Sequence, residues 1–478
     1  MPLNFIGGCL ALPTMDYLIS RKHYLLLFLV ISLYFLNLGT NQVFAPNESF
    51  YADAALNMLK TGNYLIPIYN DHIRLAKPPL LYWLIALSFK IFGVSSFSLR
   101  LPSALAGSFC VLFTYIFGEN IAKNLGLYGA IATGMALEFV SNARYASPEV
   151  LFCFFISSAI YFLYFYLKSR KIYYLVASTI SSSLAMLTKG PVGILIVGFV
   201  GFWYIVFENP KLLKDLKLYI AFVIALFIGG LWYIEVLNSP YKEILINKFY
   251  IENIKRINAL ESDPWYFYIK DTIVSFAPFS IILYLFFLNP KILKVIKLAS
   301  VWFFSLFIVF SLIKMKIPTY LIPAYPAMGF IVGMNAMTKK YFRYMFWILF
   351  CIGLLIYYAL IVFILPSIEP YRPYKEMGYI IKLYKGNKPV YYQGYFIHQL
   401  PFYADTTIKK FAKNSKPGIL ITETPCEQPL WKGYVYTDSE SRFLVFLRDI
   451  YKFKKGNIKD SKFKRFYICN YKSPKTGP

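Results

Sequence analysis

Between Asn47 and Trp83 the chain reads NESFYADAALNMLKTGNYLIPIYNDHIRLAKPPLLYW, directly after its first long apolar run. Two acids, Glu48 and Asp53, and two bases, Arg74 and Lys77, fall in this polar stretch at the edge of a bilayer. Charge at membrane depth is costly unless it lines a polar cavity or meets a charged ligand. Carboxylates and ammonium groups gathered at headgroup level suit chemistry on a phosphate-bearing lipid. Other segments carry the same residue types. Glu149 follows Pro148 in SNARYASPEVLF, at a helix start where negative charge is favoured. Lys189 lies in LTKGPVG, inside a tight connection, and Lys314 and Lys316 lie in LIKMKIPTYLIPAYP with Tyr320 beside them.

In such a constellation a carboxylate takes the proton of an attacking hydroxyl. Cations neutralise a departing phosphate. Glu48, assisted by Glu149, fits the first role. Lys77, Lys189, Arg74, Lys314 and Lys316 fit the second. Asp53 stands five residues after Glu48, roughly 140° around a helix, so the two need not face one site. The plainer reading is that Glu48 and Glu149 cap helices and that each lysine anchors a span by snorkelling. Five bases from separate segments make the joint case for a phosphate pocket stronger than any one of them.

These residues need a membrane scaffold to position them. The chain is 58% hydrophobic, 20% aromatic and only 15% charged, with a mean hydropathy of +0.51. Soluble domains carry about 25% charged residues, so this is an integral membrane protein. Apolar runs predict eleven spans at 24–41, 99–118, 126–142, 149–168, 172–188, 191–207, 217–237, 270–288, 297–313, 318–337 and 343–366. Pro79 to Val94 is short, opens on a double proline and contains Lys90, and reads as an interfacial helix. With eleven spans and an inner N-terminus, the basic connectors all fall on one side, as the positive-inside rule requires. They hold Arg21/Lys22, Lys123, Lys168/Arg170/Lys171, Lys211/Lys214/Lys217, Lys291/Lys294/Lys297 and Lys339/Lys340/Arg343.

This organisation gives a cytoplasmic N-terminus at 1–23 and a transmembrane domain at 24–366. The latter has a first outer loop at 42–98 and a long outer loop at 238–269. An extracytoplasmic C-terminal domain follows at 367–478. Strand-like runs at Val390–Tyr392, Gly418–Thr422, Tyr434–Tyr436 and Phe443–Leu447, punctuated by Pro and Gly, predict that it is a small α/β domain. Met15 precedes a polar stretch, so residues 1–14 read as an upstream extension of the true start.

The net charge of +26 is explained by bases that flank spans and face anionic headgroups, which argues against nucleic-acid binding. Cys9, Cys110, Cys153 and Cys351 sit in or beside apolar runs as small hydrophobes. Cys426 and Cys469 can pair if their region lies outside the cytosol. Histidines at 23, 72 and 398 are too scattered for a metal site, and no nucleotide-binding motif is present. An activated donor would therefore arrive through the membrane as a lipid phosphate.

The ordered series NESFYADAALNMLKTGNYLIP, LAKPPLLYWLIALSFKIFGV, SLRLPSALAG, RYASPEVLFCFF, LTKGPVG, FYIENIKRI, DPWYFYI and KMKIPTYLIPAYPA spans about residues 20–335. It resembles the integral-membrane glycosyltransferases that use polyprenyl-phosphate sugars. These include the bacterial lipid A aminoarabinose transferases and the wider protein mannosyltransferase-like family. The resemblance implies a mainly α, polytopic GT-C bundle of about eleven transmembrane helices with outer interfacial helices and a small C-terminal α/β outer domain. It implies an inverting hexosyl- or pentosyltransferase of the family 39/83 type in the cytoplasmic (inner) membrane, with its active site extracytoplasmic. The donor would be an undecaprenyl-phosphate-like sugar. The acceptor would be lipid A, another glycolipid, a glycan or a protein. The family's first loop usually reads Asp-Glu, whereas this chain has Asn47-Glu48, so Glu48 would have to act as the carboxylate. Ala76 and Asn253 also depart from the family pattern, and Glu149 replaces an Asp. No cofactor or metal site is expected, the family's divalent ion being the one candidate. A lipid-phosphate flippase and a catalytically inactive lipid-binding relative are the alternatives.

Overall fold

The structure is a computed structural model, and it describes residues 21–44, 46–255, 262–285, 292–293, 296–412, 414–438 and 443–471. Met15, Cys9, Arg256, Lys291 and Lys294 lie outside the described residues, as does the side chain of Asn253. The chain forms two compact units: residues 1–34, 104–143 and 148–356, and residues 35–103, 144–147 and 357–478. The first outer loop and the C-terminal region thus share one unit, which the boundary predicted at 366/367 had separated.

The first unit is a helical bundle. Each predicted apolar run contains helix, and among the described residues four helices are long and apolar enough to cross a membrane: Ser96–Ile121, Pro148–Ser169, Leu216–Leu237 and Lys340–Ser367. The protein is a multi-pass membrane protein. Two predicted spans are broken. The run 126–142 divides into helices Leu125–Gly134 and Leu137–Ala143, and the Leu137 amide at the break donates to Ala277 O at 2.9 Å. Irregular backbone survives at membrane depth where protein groups satisfy it in this way. The run 270–288 divides into Phe267–Ser275 and Ser280–Tyr284 on either side of Pro278, which has no N–H to donate. Helix Tyr325–Thr338 packs on Leu125–Gly134 through paired glycines: a methyl on Gly329 would collide with Gly129 O and Thr133 Oγ1. Small residues allow this close approach where lipid gives no hydrophobic drive to associate.

The second unit holds helices Asn47–Thr61 and Leu80–Phe92, a hairpin of β1 (Ile68–Tyr69) and β2 (His72–Ile73), and a five-stranded sheet. Asn70 and Asp71 take φ of 47° and 66°, the left-handed pair that a two-residue hairpin turn requires. Helix Leu80–Phe92 is about 20 Å long, too short to cross a 30 Å core. The sheet comprises β3 (Val390–Tyr392), β4 (Ile408–Lys410), β5 (Gly418–Thr422), β6 (Pro429–Tyr436) and β7 (Phe463–Tyr471), in order β4-β3-β5-β7-β6. Strands β3, β4 and β5 run parallel, while β7 is antiparallel to β5 and β6. Helix Tyr374–Lys385 buries Tyr374, Met377 and Ile381 against Val390, Ile419 and Ile421. Cys426 and Cys469 form a disulfide. The strand predicted at Phe443–Leu447 is instead the first turn of helix Phe443–Lys454, whose Phe446 and Ile450 bury one helix face beside Phe463.

Candidate functional site

In the second unit Glu48 is 0% exposed and its carboxylate is saturated. Oε1 accepts from Arg100 Nε at 2.7 Å and from the Ala146 amide at 3.0 Å. Oε2 accepts from Arg100 Nη2 and the Phe44 amide, both at 2.8 Å. Arg100 spends its remaining donors on the carbonyls of Leu38, Asn41 and Gln42, each at 2.9 Å. A bidentate arginine with every N–H used is a geometry that lysine could not supply.

A second buried arginine grips the same segment. Arg372 donates to Gln42 O at 3.2 Å, Val43 O at 2.8 Å and Glu369 Oε1 at 2.8 Å, and lies 4.1 Å over the Phe44 ring. Glu369 in turn accepts from Asn41 Nδ2 and the Gln42 amide. Residues 38–48 are thereby fixed, with Asn47 left exposed at their end.

Asp53 has no such cation against it. Its Oδ2 accepts from the Asn70 amide at 2.8 Å and from Asn57 Nδ2 at 3.3 Å. Burial pushes its pKa up to about 6, against the pull of the Asn70 amide, Lys60 and Asn57. Arg74 lies 3.8 Å over Phe50, whose ring meets Tyr69 and His398 edge-on. Tyr69 Oη donates to His398 O at 3.0 Å and lies 3.2 Å from its Nδ1. Burial, with the Arg74 charge added, pushes the His398 imidazole below its usual range. Lys77 Nζ donates to Ala76 O at 3.3 Å.

The first unit brings together Glu149, Lys189 and Tyr320. Glu149 Oε2 and Lys189 Nζ are in direct contact, with side chains 14% and 11% exposed. The ammonium also lies 5.3 Å from the Phe152 ring centroid and 5.9 Å from that of Tyr320. Local structure explains the pairing. Glu149 is in the first turn of helix Pro148–Ser169, and Lys189 is the last residue of helix Ile172–Lys189, so each charge complements its helix dipole. Gly190, at φ 95°, turns the chain directly afterwards. Glu138 lies within electrostatic reach of both Glu149 and Asp271. Lys316 is otherwise engaged: its Nζ donates to Asp263 O at 2.9 Å and Ile313 O at 2.8 Å, tying two segments together. Lys314 is exposed.

At the far end of helix Pro148–Ser169, about 30 Å from Glu149, Lys168 meets Glu208 at 2.8 Å. Lys297 meets the same carboxylate at 2.9 Å, and Arg170 meets Asp215 at 2.6 Å. Connectors predicted on one side therefore meet one another, as do those predicted on the other. Among the described residues no group of three or more His, Cys, Asp or Glu is placed to hold a metal ion.

Sequence reasoning missed Arg100, Arg372, Glu369, Glu138 and Asp271. Arg100 had a readable signal, because an arginine in an apolar run must be paired. The Arg372–Glu369 pair had none beyond its place just after the last apolar run.

Comparison with known proteins agrees with this fold. A family profile described as dolichyl-phosphate-mannose-protein mannosyltransferase matches residues 76–233. An uncharacterised protein of Aquifex aeolicus (strain VF5) is 38% identical over 94% of this chain and 99% of its own length. An undecaprenyl phosphate-alpha-4-amino-4-deoxy-L-arabinose arabinosyl transferase of Pseudomonas fluorescens (strain Pf0-1) is 25% identical over 65% of this chain. The match spans 58% of that transferase's own length. The crystal structure of ArnT from Cupriavidus metallidurans bound to undecaprenyl phosphate superposes with a TM-score of 0.70 at 18% identity, covering 84% of this chain and 93% of that one. The archaeal oligosaccharyltransferase AglB from Archaeoglobus fulgidus gives 0.53 at 13% identity, covering 84% and 69%. The chain belongs to one family with the Aquifex aeolicus protein and has the fold of the GT-C membrane glycosyltransferases.

Proposed function

We propose that the protein is an inverting transferase in the cytoplasmic membrane, working at its outer face. It moves a sugar from an undecaprenyl-phosphate-type donor to a hydroxyl or phosphate oxygen on lipid A, another glycolipid, a glycan or a protein. The observation that carries this reading is the largely buried but not sealed Glu149–Lys189 pair beside Tyr320, a helix length away from the basic connectors. A lipid phosphate arriving there competes with Glu149 for the Lys189 ammonium. Once Lys189 turns to the phosphate, the Glu149 carboxylate is free to accept a proton. The acceptor oxygen bonds to the anomeric carbon and the bond from that carbon to the phosphate oxygen breaks. The acceptor proton goes to Glu149, and Lys189 meets the charge left on the phosphate.

Lys77, Arg74 and Lys314 remain proposed phosphate ligands, whereas Lys316 is proposed as a structural tie because its ammonium is already used. Glu48, with four donors on two oxygens, is proposed to hold the loop that presents Asn47 rather than to take a proton. The Cys426–Cys469 disulfide supports an oxidising, extracytoplasmic setting for the C-terminal region. The test is transfer from a labelled polyprenyl-phosphate sugar by purified protein. Glu149→Gln should lose on the order of a hundred-fold in turnover. Full turnover by that variant would remove Glu149 from the mechanism. Failure of the wild type to transfer with any polyprenyl-phosphate sugar would favour the flippase or inactive-relative reading.

A further inference from the structure

Helix Tyr374–Lys385 begins seven residues after Ser367, where the membrane-crossing helix Lys340–Ser367 ends. At the reach of an extended chain, about 3.5 Å per residue, its first turn lies within ~25 Å of the bilayer. Its inner face is locked: Met377 and Ile381 are in the core, and a methyl on Gly378 would collide with Tyr403. The outer face is unusual for a soluble surface. Tyr379 and Leu383, one turn apart, are 65% and 59% exposed, and Tyr384 flanks them.

Lysines surround this ridge. Lys375, Lys382 and Lys388 are exposed, and Lys385 donates to Asp405 O at 3.1 Å. Lys60, from helix Asn47–Thr61, joins them, and both Lys60 and Lys382 share the single Asp405 carboxylate. Burial first, then the charges of Lys382 and Lys385, push the Lys60 ammonium below its usual range. The exposed Glu376 on the same helix and Asp405 are two acids against five lysines, so the cluster is short of negative charge. So is its surroundings, since residues 367–478 hold 21 Lys and Arg against nine Asp and Glu.

A second apolar ridge lies in the same unit. Helix Leu80–Phe92 exposes Leu87 and Ile91, again one turn apart, with Lys90 between them. Both helices pack on the short helix Leu400–Ala404, one through Phe89 against Phe402 and the other through Gly378 against Tyr403. An aromatic and aliphatic ridge rimmed by lysines is the composition of a helix lying in a lipid headgroup layer.

We propose that the outer face of helix Tyr374–Lys385 docks on the anionic phospholipid surface of the membrane that the chain crosses. Tyr379, Leu383 and Tyr384 enter the interface, and Lys60, Lys375, Lys382, Lys385 and Lys388 take the lipid phosphates. The attraction of these lysines to an anionic surface is screened by salt, so the contact weakens as ionic strength rises. The inference does not depend on the sugar-transfer reading.

The test uses the full chain in lipid nanodiscs, with Cys9 and Cys351 changed to serine and a nitroxide placed in turn at 379, 383 and 464. In discs containing phosphatidylglycerol, labels at 379 and 383 should be relaxed more by oxygen than by a water-soluble nickel complex. The label at 464 should show the reverse. Discs of phosphatidylcholine alone, or the double variant Lys382→Glu/Lys385→Glu, should lose the oxygen preference. Nickel access at 379 and 383 in both lipids would overturn the docking. An equal oxygen preference in both lipids would overturn the headgroup assignment. Labels closed to both reagents would show the face packed against protein rather than lipid, and overturn both.

Discussion

Two carboxylate–cation pairs, Glu48–Arg100 in one unit and Glu149–Lys189 in the other, are built differently. Glu48 and Arg100 are closed off completely: two oxygens take four donors, and five guanidinium N–H groups find five acceptors. Glu149 and Lys189 keep part of their surface open, and a compact ammonium replaces the planar fork. A saturated pair can change partners only by exposing an unpaired charge in an apolar setting, which costs several kcal/mol. A lysine pair that keeps some surface open can exchange its carboxylate for an arriving phosphate at a lower cost. The first arrangement suits holding a shape, and the second suits a site that must bind and release.

The comparison can be broken most directly at Arg100. Arg100→Ala leaves Glu48 buried and alone, and should cost about 3–5 kcal/mol of stability by thermal unfolding in detergent. Arg100→Lys should recover only part of that, because one ammonium cannot reach two carboxylate oxygens and three carbonyls. An unchanged melting temperature in Arg100→Ala would put the two pairs on the same footing. Lys189→Gln should do the opposite. It should destabilise the fold less than Arg100→Ala, because the Glu149 side chain keeps 14% of its surface exposed, and lower turnover by roughly a hundred- to a thousand-fold. A large loss of stability with normal turnover per folded molecule would reverse the assignment.

Asp53 sharpens the contrast, being as enclosed as Glu48 yet held mainly by amide donors. Its pKa is raised from 3.8 to about 6, so between those values the folded state holds the proton more firmly than the unfolded state. Its stabilising contribution is therefore complete below about pH 3.8 and fades as pH rises through about 6. Asp53→Asn should flatten the stability–pH curve in that window, measured by chemical denaturation at stepped pH. A curve of wild-type slope would show that Asp53 ionises freely.

The helices were legible because apolar runs of span length leave few alternatives, and the placement of Glu149 and Lys189 at helix ends was legible from the proline and glycine beside them. The breaks at Met135–Ala136 and near Pro278 were not legible. Their freed backbone groups are satisfied by distant partners such as Ala277, which no local pattern encodes. Phe443–Leu447 looks like a strand over five residues and like a helix only over twelve, since a short apolar run cannot separate the two periods. The arginine clamp on residues 38–48 was missed for a related reason. Its acceptors are main-chain carbonyls, and every residue type supplies one.

The hairpin tip at Asn70 does more than turn the chain. Its amide side chain donates to Ile408 O at 3.0 Å and accepts from the Ile408 amide at 2.7 Å, copying a neighbouring strand at the outer rim of β4. An unprotected rim of that kind recruits other strands. Cut away from the segment that carries Asn70, a fragment of residues 367–478 would offer this rim to its own copies. It should form strand-linked aggregates, while the uncut chain stays dispersed.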